Sequence, residues 1–586
     1  MRARPLRTAA AAALALGIVA PAVPASAGAS TGSVDVVVRA DSATATGAAE
    51  TLVRDAGGTV RRDLGVIAGF AATVPGSVVR GLRGLPGVHV TEDAPVRLKS
   101  GEGWLNQIGS TLLAPVIRGA GGDKADKRDP DATDTPTGVR LTGAGVGVAL
   151  IDSGVTPVAG LNAPGKVING PDLSFESQAP NLRHLDTYGH GTHMAGIIAG
   201  ADPATVTGAA RFQGVAPGAN IVSVKVASAD GASDVSQVIA GIDWVVEHRN
   251  DKGLNIRVLN LSFGTESTQP ATLDPLAFAV EQAWAKGIVV VVSAGNDGFA
   301  ANSVTMPAAD PDVIAVGAAD SRGTENRADD VVADFSNRGN AVRHADVLAA
   351  GRSVVSLRVP GSFVDRSYPA ARLSVTADPA QRLLRGSGTS QAAAVVSGAV
   401  ALLLQQRPSL NPDQVKRLLT ATAKPIAGAD PYAGGSGQID IAAASAMKTP
   451  ANAPQVNLPA TGLGTLEKSR GGVHVYDSSN DVMLNGEKDI FGRTWTAATW
   501  ALASKTQNSW KDGTFNGTQW TGKAFGADIS GQRSWSAVAW AGRSWAGSTW
   551  AGRSWADAQW NGRSWAGRSW AGRSWASADW SGAPWQ

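Results

Sequence analysis

The stretch Val146-Gly-Val-Ala-Leu-Ile-Asp-Ser-Gly154 joins an apolar run of strand length to an acidic residue and a turn. Similar apolar runs recur further along the chain, and longer stretches with helical character separate them. Strands are predicted over 146–151, 221–226, 258–263, 288–294 and 313–318, and helices over 235–248, 275–286, 389–407 and 412–423. This alternation predicts an α/β domain with a parallel sheet and helices on both of its faces.

Three Gly-rich motifs within this region carry residue types that cooperate in nucleophilic catalysis. They are Ile-Asp-Ser-Gly around Asp152, Gly-His-Gly-Thr-His around His190, and Gly-Thr-Ser ending at Ser390. Serine is a weak nucleophile until a base accepts its proton, and a histidine oriented by a carboxylate can be that base. Each motif alone has a simpler interpretation: a turn aspartate, a metal-binding pair of His190 and His193, or a helix N-cap serine. Their joint occurrence in this order favours catalysis.

The order Asp, His, Ser and the residues around each motif resemble the subtilisin-like serine protease (subtilase) family. The resemblance extends from about Val139 to Ala446. It implies a subtilisin-like parallel sheet with helices on both faces. It also implies a catalytic triad in which Ser390 attacks a peptide carbonyl, His190 transfers the proton, and Asp152 orients the imidazole ring.

The same resemblance assigns residues that bind the substrate. In subtilases a Gly-Asn after the strand predicted over 288–294 supplies an amide for the oxyanion hole, which gives that role to Asn296. The Asn-Asp-Gly sequence there is also an ordinary turn signal. Ser262, Phe263 and Gly264 stand where subtilases pair with the substrate backbone, although Phe263 could simply end a strand. No metal ligand is assigned, and structural calcium is compatible with the sequence.

Two departures from the family pattern lie close to Ser390. Subtilases usually carry Met directly after the serine and Pro three residues further on, whereas this chain has Gln391 and Ala394. Neither change removes a member of the triad. The departures therefore bear on substrate preference more than on activity.

Length and composition set the frame for these assignments. The chain has 586 residues, which predicts several domains, and its formal net charge of +3 argues against a nucleic-acid partner. It contains no cysteine, so stability outside the cell would depend on a large core, bound ions or both.

The N-terminal region is predicted to contain two segments that precede the catalytic domain. Residues 1–27 combine arginines, an apolar run and Ala-Ser-Ala, the pattern of a secretory signal peptide. Residues 28–100 follow a β-α-β-β-α-β order, which predicts a ferredoxin-like α+β unit. Its position resembles that of the inhibitory prodomain of subtilases. Residues 101–138 are predicted to be a linker or loop, and 139–447 the catalytic domain.

The C-terminal region changes composition after Met447. Residues 448–485 are predicted to be a linker, and 486–586 a β-rich solenoid or meander built on a five-residue aromatic period. Tryptophan occupies every fifth position from 535 to 585. These rings could bind wall glycans, lie at a membrane interface or bind single-stranded nucleic acid, or they could pack on one another as the core of the repeat. Export makes nucleic acid the least favoured of these.

The sequence thus predicts a secreted serine endopeptidase that is made as a self-processed zymogen. Its expected partners are protein substrates, its own prodomain and a cell wall or glycan for the tail. No membrane-spanning segment is expected in the mature chain. The alternative is a surface-binding or structural protein in which the protease domain is inert or acts only in maturation.

Overall fold

The computed structural model describes residues 33–64, 69–92, 141–520 and 535–536, apart from residues 178, 204, 207–210, 325, 374–377, 379, 473 and 478–481. The chain divides into two compact units, Met1–Ala94 and Pro95–Gln586. The predicted signal peptide, the predicted loop at 101–138 and most of the tryptophan repeats lie outside the described residues.

The first unit is a four-stranded antiparallel sheet with two helices. Its elements are β1 Ser33–Ala40, α1 Ala43–Asp55, β2 Thr59–Leu64, β3 Gly69–Pro75, α2 Val78–Arg83 and β4 Val88–Glu92. The strand order is β2-β3-β1-β4, the topology of a split β-α-β fold. Val38, Val53, Phe70 and Leu82 are fully buried between the sheet and the helices. The observed element order is the one the sequence predicts.

The second unit is built on a sheet whose strands are mostly parallel. The strands are β5 Gly147–Asp152, β6 Val167–Asp172, β7 Asn220–Lys225, β8 Ile256–Leu261, β9 Val289–Ser293, β10 Ile314–Asp320, β11 Val331–Val332 and β12 Val347–Ala350. Their order is β11-β10-β9-β8-β5-β7-β6, with β12 also paired to β10. Only β11 runs antiparallel to its neighbour in this sheet. The carboxyl ends of β5, β8 and β9 therefore lie side by side.

Helices and shorter strands complete the second unit. The helices are α3 His190–Ala199, α4 Val235–His248, α5 Pro275–Ala285, α6 Phe363–Ser367, α7 Thr389–Gln406, α8 Pro412–Thr422, α9 Pro431–Gly434, α10 Ile441–Ala446, α11 Leu466–Arg470 and α12 Ala497–Lys505. The shorter strands are β13 Val354–Leu357, β14 Leu383–Gly386, β15 Tyr476–Asp477, β16 Val482–Met483, β17 Trp510–Lys511, β18 Thr514–Phe515, β19 Thr518–Gln519 and β20 Trp535–Ser536. Helix α7 is buried from Thr389 to Leu404 and packs on β8, β9 and β10.

The strands and helices predicted for this α/β unit are present, and their observed bounds differ from the predicted ones by at most two residues. Strand β6 is not predicted, because Val-Ile-Asn-Gly-Pro-Asp lacks an apolar run. It lies at the edge of the sheet, where a strand pairs on one side only and tolerates Gly and Pro.

The C-terminal segment, which we define as residues 455–520, packs against α4 and α5. Its Arg470 donates from Nε to Oδ2 of Asp234 at 2.6 Å, and both side chains are buried. Asp243 on α4 accepts Trp500 Nε1 at 2.9 Å and Ser504 Oγ at 2.7 Å. The predicted linker thus contains a helix, α11, in the part that belongs to this segment. It also contains a buried ion pair, because Arg470 of α11 meets the carboxylate of Asp234 at the start of α4.

The first aromatic residues of the five-residue period form one buried ring cluster. Trp495, Trp500, Trp510, Phe515 and Trp520 are all buried, and Phe515 lies 5.1 Å from Trp510 and 5.5 Å from Trp520 between ring centroids. Strands β17, β18 and β19 form a small antiparallel meander. Its two turns, at Asp512-Gly513 and Asn516-Gly517, have positive φ at both positions, as two-residue hairpin turns require. In this part of the chain the rings serve as a core.

None of the helices in the described part of the chain has the length and apolarity that a bilayer span requires.

Replacing Arg470 with Ala should lower the free energy of unfolding by about 3–5 kcal/mol, because it leaves the buried Asp234 carboxylate without its cation. Chemical denaturation measures the change in a Ser390→Ala background, which lacks the hydroxyl of the predicted nucleophile. Lys468→Ala, an exposed position on the same helix, is the control and should change stability by less than about 0.5 kcal/mol. Equal effects of the two variants would contradict the packing described for α11.

Asp243 should make stability depend on pH. Burial raises the pKa of Asp243 to about 7, opposed by the hydrogen bonds from Ser504 and Trp500. The folded chain then holds a proton at pH values where the unfolded chain has lost it, so the contribution is complete below about pH 4 and is lost as the pH rises to about 7. Asp243→Asn should therefore gain stability relative to its parent between pH 4 and 7. A difference that stays constant over this range, in urea denaturation of Ser390→Ala backgrounds, would refute the assignment.

Candidate functional site

Asp152 and His190 meet at the carboxyl edge of the parallel sheet. Asp152 is the last residue of β5, and His190 is the first residue of α3. The Nδ1 atom of His190 lies 2.9 Å from both carboxylate oxygens of Asp152, and both side chains are buried. Gly191 permits this approach, since a Cβ there would collide with the carbonyl oxygen of Gly154. A carboxylate in this position fixes which imidazole nitrogen faces away from it.

A second carboxylate, Asp186, holds the turn before α3. Its Oδ1 accepts Ser153 Oγ at 2.8 Å and the Gly189 N–H at 2.6 Å, and its Oδ2 accepts the Thr192 N–H at 2.7 Å. Burial raises the pKa of Asp186, and these donors oppose the increase. Asp186 is not among the residues predicted from the sequence. Its position just before a helix whose N-cap residue is Gly189 is the available signal, because acidic side chains cap helix N-termini.

Ser390 lies in the first turn of α7, which packs against α3. The side chain is buried, and its Oγ donates to the carbonyl oxygen of Ser262 at 2.9 Å. Its backbone N–H belongs to the group of N–H donors at the positive end of a long helix. Ser390 and His190 therefore lie in the first turns of two helices that contact each other.

Asn296 follows β9 and caps the start of α7. Its Oδ1 accepts the Thr389 N–H at 2.8 Å and Thr389 Oγ at 3.0 Å. A backbone N–H can only donate, so this contact fixes which atom of the amide is the oxygen. The other end of the amide, Nδ2, is then the donor of a side chain that is held at the first turn of α7.

The three residues predicted to bind substrate follow directly after β8. Ser262 contacts Ser390 in both directions, since its carbonyl accepts Ser390 Oγ and its own Oγ donates to the Ser390 carbonyl at 3.2 Å. The side chain of Phe263 is buried in the main core. At Gly264 a Cβ would collide with the side chain of Thr305, so the chain requires Gly there. The structure thus brings Ser262 to Ser390, and it places the ring of Phe263 in the core.

Two histidines, His190 and His193, and one group of acidic side chains are the candidate metal ligands. His190 directs Nδ1 at Asp152, and burial together with His190 lowers the pKa of His193 well below its ordinary value. Among the described residues, one group of carboxylates lies close enough to share a cation, namely Glu281, Asp310 and Asp312. Burial and the neighbouring Glu281 hold the pKa of Asp310 well above its usual range, which favours a shared proton. Structural calcium stays a prediction.

This chain is similar to known proteins in sequence, and a solved structure aligns with part of it. The model of the Subtilase family matches residues 143–459. The chain is 35% identical over 309 residues to Serine protease AprX of Bacillus subtilis (strain 168), which covers 52% of this chain and 66% of that protein. It is also 35% identical over 306 residues to Subtilisin DY of Bacillus licheniformis, with coverage of 52% and 92%. A crystal structure of a cold adapted subtilisin-like serine proteinase aligns with 28% identity and a TM-score of 0.37, covering 51% of this chain and 88% of the other.

Gln391, the residue after Ser390, is an unusual buried amide. It is fully buried, and among the described residues neither its Oε1 nor its Nε2 has a hydrogen-bond partner. A buried amide without partners loses its hydration and gains nothing in return. Gln391 therefore opposes folding at the point where the family usually has an apolar side chain.

Gln391→Met should raise the free energy of unfolding by about 1–3 kcal/mol, because it keeps the side-chain length and removes the unpaired amide. Denaturation in the Ser390→Ala background gives the value. Gln391→Glu, of equal size, is the matched control and should lower stability because it buries a carboxyl group. A loss of stability in Gln391→Met would show that the amide has partners in the folded protein.

Proposed function

Since the chain belongs to the subtilase family, whose matched relatives are named serine proteases and subtilisins, we propose that it is a serine endopeptidase with Asp152, His190 and Ser390 as its catalytic triad. The observation that carries the proposal is the contact of His190 Nδ1 with both oxygens of a buried Asp152. It leaves Nε2 as the nitrogen that exchanges protons with Ser390.

The proposed reaction is acyl transfer in two steps. The Ser390 hydroxyl turns from the Ser262 carbonyl to His190, which accepts its proton while Oγ attacks the peptide carbonyl. His190 then protonates the leaving amine, and water releases the acyl group by the reverse sequence. Asp152 stays ionised and stabilises the imidazolium.

The developing oxyanion would be stabilised by two fixed donors. One is Nδ2 of Asn296, oriented by the two contacts that its Oδ1 makes with Thr389. The other is the backbone N–H of Ser390 at the start of α7. Such donors act strongly because their orientation is set before the charge appears. Loss of one typically lowers the rate by about 10²–10³.

Substrate binding is assigned to the segment of Ser262, Phe263 and Gly264. The absence of a Cβ at Gly264 brings the backbone close to Thr305, and an extended peptide could pair with the polar backbone groups there. Because the ring of Phe263 belongs to the core, its proposed contribution is positional.

We further propose that the enzyme is secreted as a zymogen. The signal-peptide pattern of 1–27 supports export. The split β-α-β topology of residues 33–92 supports a prodomain role for 28–100, and the prodomain would then be the chain's own first partner. Binding of wall or glycan by the tail stays a prediction, since the rings between 495 and 520 form a core.

The alternative, a surface-binding or structural protein with an inert protease domain, makes a different prediction about Ser390. In the proposed enzyme a serine-directed phosphonate should label the wild type and leave Ser390→Ala unlabelled. Asp152→Asn should lower kcat/KM by about 10⁴, because the imidazole loses its orienting carboxylate. Peptide hydrolysis and mass spectrometry of the labelled protein check both. A wild type that neither labels nor releases its N-terminal unit would support the alternative.

A further inference from the structure

A chain of buried hydrogen bonds reaches Ser390 from the third turn of its own helix. Ser397 Oγ donates to Asn260 Oδ1 at 2.9 Å, and Asn260 Nδ2 donates to Ser262 Oγ at 2.7 Å. Ser262 Oγ donates to the carbonyl oxygen of Ser390 at 3.2 Å. All four residues are at most 3% exposed. We call these residues the serine relay.

The direction of the serine relay is fixed at one end. The Ser390 carbonyl can only accept, so the Ser262 hydroxyl must donate to it and is free to accept from Asn260. Asn260 must then present its NH₂ group to Ser262 and its oxygen to Ser397. Every donor therefore points toward Ser390, and bonds aligned in this way polarise and strengthen one another.

The spacing of the residues explains how α7 and β8 together form this chain of hydrogen bonds. Ser390 and Ser397 are seven residues apart on α7, about two turns, and so lie on the same face of the helix. Asn260 lies in β8, and Ser262 follows two residues later. Side chains two residues apart along a strand point to the same face of the sheet. The relay thus ties the first and third turns of α7 to the end of β8.

We infer that Ser397 and Asn260 are positioning residues for the nucleophile, acting through Ser262 on the first turn of α7. This inference rests on the proposed function of Ser390. The relay donates a hydrogen bond to the Ser390 carbonyl, and the Ser262 carbonyl accepts one from the Ser390 hydroxyl. Together these two contacts fix the position of Ser390 Oγ before it attacks. Neither residue exchanges a proton with substrate.

Removal of the Ser397 hydroxyl should therefore lower kcat and spare KM. In the processed wild-type chain, Ser397→Ala should reduce kcat on a chromogenic peptide by about threefold to tenfold, the effect of about one hydrogen bond, with KM within about twofold. The pH midpoint of kcat should not move, because the relay contains no titrating group. Ser397→Thr, which keeps the hydroxyl, should retain more activity than Ser397→Val, which has the same shape without it.

Two controls separate the relay from general loss of packing. Ser236→Ala removes another buried helical hydroxyl, which bonds to Asp234, and should leave kcat unchanged. In a Ser262→Ala background, which breaks the relay and keeps the backbone carbonyl, Ser397→Ala should have no further effect on kcat.

The outcomes distinguish this inference from the proposed function. Absence of Ser390-dependent hydrolysis in the wild type overturns the proposed function. An active wild type in which Ser397→Ala keeps its kcat, Ser397→Val equals Ser397→Thr, or the effect persists in Ser262→Ala overturns the relay alone.

Discussion

The site depends on how the free N–H groups in the first turns of two helices, each with glycine as its N-cap residue, find hydrogen-bond acceptors. Gly189 and Gly388 occupy the N-cap positions of α3 and α7, and neither can offer a side chain to the free N–H groups of the first turn. The acceptors come from elsewhere. Asp186 accepts the N–H groups of Gly189 and Thr192, and Asn296 accepts that of Thr389. The residues that cap the helices thus also fix the positions of His190 and Ser390, so local helix stability and site geometry have one physical origin.

Much of this arrangement could be predicted from the sequence. The apolar runs of β5, β8 and β9 and the long apolar helix α7 are local signals, and they placed Asp152, Asn296 and Ser390 at neighbouring strand or helix ends. Asp186 was missed although its place just before α3 is a local signal. Asn260 and Ser397 were missed because their roles come from contacts between segments that are far apart in the chain. Asn260, for example, contacts Ser397, which lies 137 residues further along the chain. Periodicity carries no information about such pairs.

The C-terminal segment shows a different limit of sequence reasoning. The composition of its first part, up to residue 485, predicts a linker, and that of the rest predicts a β-rich repeat, yet a few anchors in both parts hold the segment to α4. The Asp234 carboxylate accepts Arg470 at the start of α4, and Asp243 accepts Trp500 two turns later. Single charged or aromatic residues in a polar stretch can therefore outweigh its average character. In a chain without cysteine, such anchors supply part of the cross-linking that disulfides would otherwise give.

The close packing of the C-terminal segment also affects where the folded body of the protein ends. The match to the Subtilase family ends at residue 459, but Asp234, the N-cap residue of α4, and Asp243 within α4 find their partners beyond it, at Arg470 and Trp500. A protein truncated at the family boundary would present two uncompensated carboxylates and a strip of apolar helix to solvent. Domain exchange between this chain and other subtilases should therefore place its junction after Trp520, the last ring of the buried cluster.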